Sequence, residues 1–391
     1  MELKILLRSQ IQLGIPLARN IYDVTGKLLM IQTGILRTEQ QLTKLLRHGA
    51  YVDASLADDG VENALFAQPL QRAAPTGLLQ EWEHIPTLLQ TLFTHPAGKH
   101  DFPAQVAHVA AHILKLHDKN VDFSIYRIVR QEKYLASRYG YTHAVHTAVL
   151  CLLLSRHFEW PADRMMSLVK AALTMNMTIA KLQGTMAAQT GPVEKKQRTE
   201  IYHHPEKTVA LLKRLGVTDD NWLTAVQQHH EQEDGTGYPT GCKEISEIAN
   251  VLRVADVFTS KISPRTFRAA LSAQEGISRI FHDDKGGPMS TAMIKTLGIY
   301  PPGEFVRLAT GELGIVVERT ANSKAPIVAS ITDTAGRPVP RLLRRDTREA
   351  EFAVTGTVSN KLILHRLLPE RLYGLSIVNA VDLPQLDFLV E

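Results

Sequence analysis

Apolar residues fall along the chain in three rhythms, and each rhythm predicts a different kind of structure. Up to about residue 55 they come in short clusters at 12–16, 20–23 and 27–32, divided by turn residues such as Thr25-Gly26 and Thr33-Gly34. Clusters bounded in this way predict extended segments. Leu36, Leu42, Leu45 and Leu46 then interleave with Arg, Lys and Gln, which predicts one helix ending near Gly49. Residues 1–55 are therefore expected to form a small α/β module. Residues 56–81, rich in Ala, Asp, Gln and Gly with Pro69 and Pro75, are expected to be a linker.

From 82 to 299 the rhythm is helical almost throughout. Ala107, Ala110, Ala111, Leu114 and Leu116 recur at helical spacing, as do Val145, Ala148, Val149, Leu152 and Leu153. Breaks are expected at Pro103, Pro161, Pro192, Pro205, the loop Gly235 to Pro239, and Pro264. After Tyr300-Pro301-Pro302-Gly303 the pattern changes to short β-branched runs at 305–308, 314–318 and 327–331, so 300–391 is expected to be a β-rich tail. The fold class that follows is mainly α, with small β-containing modules at both ends.

Composition narrows the function. Of 391 residues, 44% are hydrophobic and 21% charged, as in a globular protein large enough for two or three domains. A net charge of +4 suits an anionic nucleotide ligand but not a DNA-binding surface. No run approaches the roughly 20 apolar residues of a membrane span. With no signal peptide and only Cys151 and Cys242, a cytoplasmic protein with reduced thiols is expected.

The candidate chemistry lies in the histidines. His143 and His146 stand three apart on one helical face. His203-His204-Pro205 and His229-His230-Glu231 each close a predicted helix, and Asp256 interrupts the apolar run 251–258. An unpaired buried carboxylate is costly, so Asp256 needs a partner. Imidazole and carboxylate together are the ligands of Fe, Mn or Zn in hydrolases. Plainer readings apply to many of these positions. His157, His282 and His365 are assigned to structural or surface roles and His203 to the surface, while His146 stays open between ligand and core. Asp256 on its own could pair with Arg253. His117-Asp118 and His282-Asp283 are read as surface pairs, His100-Asp101 as a loop. Arg341, Arg344, Arg345 and Arg348 are read as a solvated basic strand edge.

Order and spacing lift the set above those readings. The stretch from His229 to Gly241, with Asp234, Gly235, Gly237, Tyr238 and Pro239 in its loop, closely resembles the signature of the HD-GYP family. The likeness extends over about 130–299, through the helix at Tyr141-Thr142-His143 and the run Arg253 to Phe258. The resemblance implies an HD-superfamily helical bundle around two or three metals and hydrolysis of cyclic-di-GMP. It implies His143, His204, His229, His230 and Asp256 as metal ligands, and Arg265 and Arg268 as basic residues beside the site. Arginine is well suited to gripping phosphate.

One motif departs from the family. Where a His-Asp pair belongs on the second core helix, this chain has Met175-Asn176, and Thr178 and Ile179 follow where Gly and Lys are usual. A thioether is a soft ligand and an amide a poor bridge between hard metals. The expectation is one transition metal on His204, His229 and His230, with two-metal clamping lost. Three functions follow from it. The first is a cyclic-di-GMP signalling protein that mainly binds a nucleotide or a signalling-protein partner. The second is a phosphodiesterase with a substituted ligand set, and the third a phosphohydrolase for another nucleotide.

Overall fold

The computed structural model describes residues 3–5, 20–30, 36, 39–47, 49–53, 77–96, 101–131, 136–266, 270–359, 367 and 369–374. Two compact units result, one made chiefly of 1–75 and the other chiefly of 76–377.

In the smaller unit, strands β1 (Leu3–Ile5), β2 (Ile21–Tyr22), β3 (Leu28–Met30) and β4 (Tyr51–Asp53) form a sheet in the order β1-β4-β2-β3. All its pairings are antiparallel. The β2–β3 turn is closed by Asp23, whose Oδ1 accepts from the amides of Thr25 and Lys27, with Gly26 at φ 84°. Helix α1 (Glu39–Arg47) brings Leu42 onto Ile21, Leu36, Ala50 and Val52. The expected extended piece at 12–16 lies outside the described residues.

The larger unit is a helical bundle with a sheet on its flank. Its first helix, α2 (Leu78–Thr94), starts within the stretch expected to be linker, because Leu79, Trp82, Ile85 and Leu89 form one buried face. Next come α3 (Phe102–Lys119), α4 (Val121–Val129), α5 (Tyr139–His157), α6 (Ala162–Thr174) and α7 (Ala180–Ala188). Then follow α8 (Lys195–Arg214), α9 (Asp220–Gln228), α10 (Glu247–Ile262), α11 (Ala273–Asp283) and α12 (Pro288–Leu297). Local chemistry sets several of these ends. Asp101 caps α3 by accepting from the Ala104 amide, and Asn120 caps α4 by accepting from Phe123.

Helix α5 is buried on nearly every side along most of its length, so it forms the axis of the bundle. Helix α6 packs on it and on α9. The α6–α9 contact is fixed by Asp219, which caps α9 through the Trp222 amide and takes Ser167 and Lys170 from α6, each at 2.7 Å. Trp222 Nε1 donates to Thr174 Oγ1 at 2.7 Å. The end of α6, with Met175 and Asn176, is thereby held against the helix that ends at His229.

Strands β5 (Phe305–Leu308), β6 (Leu313–Glu318), β7 (Ile327–Thr332), β8 (Pro338–Asp346) and β9 (Val354–Thr357) form an antiparallel sheet in the order β8-β7-β6-β5-β9. A short helix, α13 (Pro369–Tyr373), follows. The period of two is plain in the burial. Phe305, Ile315, Val317, Ala329 and Ile331 join the helical core, while Val306, Leu308, Val316 and Val328 make a small core on the opposite face. Arg319 ties the sheet to α4 through Asp122 at 2.6 Å. Among the described residues, no helix is long and apolar enough to cross a membrane. Cys151 is buried, Cys242 partly so, and both are free thiols.

One surface expectation changes. His117 is buried, its Nδ1 2.7 Å from Ser124 Oγ where α3 meets α4, and burial pushes its pKa down to about 4. A histidine near a helix end looks like a surface residue until the next helix folds back over it. The basic edge around β8 is solvated, and three of its arginines are also ion-paired. Arg345 forks onto Glu312, Arg344 meets Glu318, and Arg348 holds Asp346.

Candidate metal centre

Three histidines converge where α8, α9 and the following loop meet. His204, His229 and His230 each offer a nitrogen within 4.8 Å of the others. The backbone dictates their orientation. Pro205 has no N–H to give to the carbonyl four residues back, so Ile201 O is left open inside α8. His204 Nδ1 donates to that oxygen at 2.6 Å. His229 lies just past α9, where the last carbonyls of a helix have no intrahelical donor. Its Nδ1 donates to Val226 O at 2.7 Å.

Anchoring both Nδ1–H groups leaves both Nε2 atoms as lone-pair acceptors, and these stand 3.2 Å apart. Two lone pairs cannot satisfy each other, and protonation is a poor remedy here. Burial lowers the pKa of His204 to about 3, and it also lowers those of His229 and His230. A bound cation is the partner that this geometry suits, and a backbone-anchored Nδ1–H is the usual support of an imidazole ligand. The donor set therefore fits a borderline transition metal.

His143 and Asp256 lie beside this group but outside it. They engage each other, His143 Nε2 to Asp256 Oδ1 at 2.6 Å across 113 residues of sequence. Asp256 is not paired with Arg253, whose guanidinium donates to Asn250. Burial works to raise the Asp256 pKa, but the His143 hydrogen bond and the nearby His230 and His229 outweigh it and hold the carboxyl well below the usual range. Its negative charge in turn acts on His204, His229, His230 and Tyr238. His146 is buried on the same helix, with Nδ1 unpartnered and a pKa pushed by burial to about 3. His143 Nδ1 is likewise buried without a hydrogen-bond partner.

Met175 is completely buried and Asn176 nearly so. Lys181 is exposed. His203 is about half exposed and faces Glu206, His282 is exposed and His157 packs on Phe158. His100, Arg268 and His365 lie outside the described residues.

The signature loop closes over His230. Asp234 Oδ1 accepts from the Thr236 amide and hydroxyl, making a tight turn with Gly235 at φ 78°. A Cβ at Gly237 would lie 2.4 Å from Glu231 Cα and Gln232 N, so only glycine permits the loop to fold back there. The Tyr238–Pro239 peptide is cis. The Tyr238 amide donates to His230 O, and its ring stacks on the His230 imidazole at 4.5 Å and 20°. Glu231 is buried; its Oε1 accepts from the Thr240 amide and hydroxyl, and its Oε2 has no partner.

Arg265 is turned inward. Its Nη2 donates to Tyr139 OH and Ser260 Oγ, each at 2.8 Å, and Tyr139 stacks on His143 at 5.6 Å. It therefore supports the His143 ring through Tyr139. Tyr139 and Tyr202 were not distinguished by spacing. The signal at Tyr202 is an aromatic residue inside the charged stretch 195–207.

An HD domain profile matches residues 126–284. The cyclic di-GMP phosphodiesterase PA4108 of Pseudomonas aeruginosa is 27% identical over 216 residues, which is 51% of this chain and 52% of that protein. The 3′3′-cGAMP-specific phosphodiesterase 3 of Vibrio cholerae is 27% identical over 145 residues, 36% of this chain and 31% of that protein. The chain spans about half or less of the length of these curated relatives. Among solved structures, Bd1817, an HDG"Y"P protein from Bdellovibrio bacteriovorus, aligns with 74% of this chain and 97% of its own, at 14% identity and a TM-score of 0.45. The matched span runs from α4 to the residue after α11 and encloses His143, His204, His229, His230 and Asp256. Residues 126–284 of this chain thus match an HD domain.

Proposed function

We propose that this protein acts in cyclic-di-GMP signalling as a regulator that binds nucleotide or a signalling partner, with one transition metal held by His204, His229 and His230. The observation that carries the reading is the pair of backbone-anchored imidazoles whose Nε2 lone pairs converge at 3.2 Å, with His230 beside them. A metal there supplies Lewis-acid polarisation of a phosphoryl oxygen. Met175 and Asn176, both buried, argue for binding over turnover, since by the family resemblance a thioether and an amide replace the imidazole and carboxylate of a hard two-metal centre. His143 Nε2 and Asp256 Oδ1 are already engaged with each other, while His143 Nδ1 has no partner. The curated relatives act on cyclic dinucleotides by name, which supports that ligand class.

A second reading, an active phosphodiesterase with a substituted ligand set, is favoured by one observation. The Asp256 carboxylate acts electrostatically on all three histidines, so an anionic ligand stands near the cluster. Metal analysis, calorimetry with cyclic-di-GMP and hydrolysis assays with added Mn or Fe separate the readings. The expected result is about one metal per chain, lost in His229→Ala, with nucleotide bound and not turned over. Hydrolysis at ordinary enzyme rates, on the order of 1–1000 per second, that His229→Ala abolishes would establish the second reading. Absence of any bound transition metal would sink both.

A further inference from the structure

We infer that Tyr202 is a positioning residue that clamps the signature loop onto His230 and thereby tunes the metal affinity of the three-histidine group. Tyr202 lies on α8, one turn from Pro205, and is 45% exposed. A large aromatic so exposed, amid lysines, arginines and glutamates, is not accounted for by core packing. Two directed contacts do account for it. The hydroxyl donates to Pro239 O at 2.9 Å, across 37 residues of sequence. The ring stacks on Tyr238 at 5.4 Å and 20°, and Tyr238 stacks on His230 at 4.5 Å and 20°.

The result is a stack of three nearly parallel rings, Tyr202, Tyr238 and His230, running from solvent to the cluster. His204 and His229 have backbone carbonyls to fix their rings. The rotation of His230 is instead limited by its neighbours in the stack, and Tyr238 sits on a loop that folds back through glycine turns. A stacked ring restrains its neighbour only while it is itself held. Tyr202 holds Tyr238 from a helix, at the ring and at the adjoining carbonyl. Supports of this kind commonly change metal affinity by about 10–100-fold when removed.

This inference rests in part on the metal reading, so the test includes a measurement that needs no metal. Full-length Tyr202→Ala and Tyr202→Phe are compared with the unaltered chain by Zn²⁺ and Mn²⁺ titration calorimetry and by hydrogen exchange of the Tyr238 amide without metal. Tyr202→Ala is expected to weaken metal binding about 10-fold and to speed exchange at Tyr238. Exchange at core amides of α5 and the melting temperature should stay near those of the unaltered chain. Tyr202→Phe keeps the ring and is expected to restore most of both effects. Unchanged exchange and unchanged affinity in Tyr202→Ala would overturn the clamp. Failure of the unaltered chain to bind metal would refute the metal reading, and with it the affinity half of this inference. Unchanged exchange in that case would overturn the remaining half, the clamp itself.

Discussion

At Pro205 the ring takes away the N–H that would have bonded Ile201, and His204 Nδ1 fills the gap. One residue thus spends helical regularity to fix which nitrogen of its neighbour is left for a metal. Pro205→Ala should separate the two effects. It restores a helical hydrogen bond, so thermal stability is expected to rise, by up to about 3 kcal/mol. The new N–H competes for Ile201 O, so metal affinity is expected to fall about 10-fold. Melting and metal titration on the same sample check both signs, and tighter binding would refute the account. The His-Pro pair was legible in the chain as a motif. The reason for its proline emerges only from the carbonyl it frees.

Between elements, the most consequential single group is Glu304, at the entrance to β5. It is buried, and its Oε2 accepts from the Ala273 amide at the start of α11. Burial raises its pKa to about 7 from an ordinary 4.5, against the lowering influence of the Ala273 hydrogen bond and Arg130. The sign of the linkage follows from that direction. Below pH 4.5 both folded and unfolded chains carry the proton. Between pH 4.5 and 7 the unfolded chain loses it first, so stability declines across this window and levels off above it. The decline should total about 3 kcal/mol. Glu304→Gln keeps an oxygen for the Ala273 amide and should remove this slope, as read from denaturant unfolding at several pH values. The three strand runs at 305–308, 314–318 and 327–331 were legible from their β-branched rhythm. The buried carboxyl at their border was not, because Glu304 sits in a turn after Pro301-Pro302-Gly303 where exposure is the usual state.

Across the larger unit, the sheet and the helices share one core. Phe305 is almost fully buried within the helical cluster, and Arg130 lies over its ring at 4.5 Å. The prediction is that the tail does not melt separately. Phe305→Ala should cost about 3–5 kcal/mol and lower the helical melting temperature, in a single transition seen alike by near- and far-ultraviolet dichroism. A helical signal unmoved by the substitution would show that the sheet is an independent domain. The boundary expected near residue 300 marks a change of rhythm in the chain, from period 3.6 to period 2. Burial on both faces of the strands decides that the two parts are joined.

What the chain alone determined is what short-range physics encodes. Periodicity located the helical middle and the strands, turn chemistry located the Asp234–Pro239 loop, and the order of the histidines pointed to the HD-GYP family. Distant segments had to meet before the rest could be known. His204 reaches His229 across 25 residues, and His143 goes to Asp256 across 113, which separates a three-histidine group from a buried hydrogen-bonded pair. Packing likewise buried His117, paired Arg344 and Arg345 of β8 with Glu318 and Glu312, and stacked Tyr202 on the loop. Spacing says which side chains share a face, but only the assembled backbone says which carbonyl, ring or charge that face will meet.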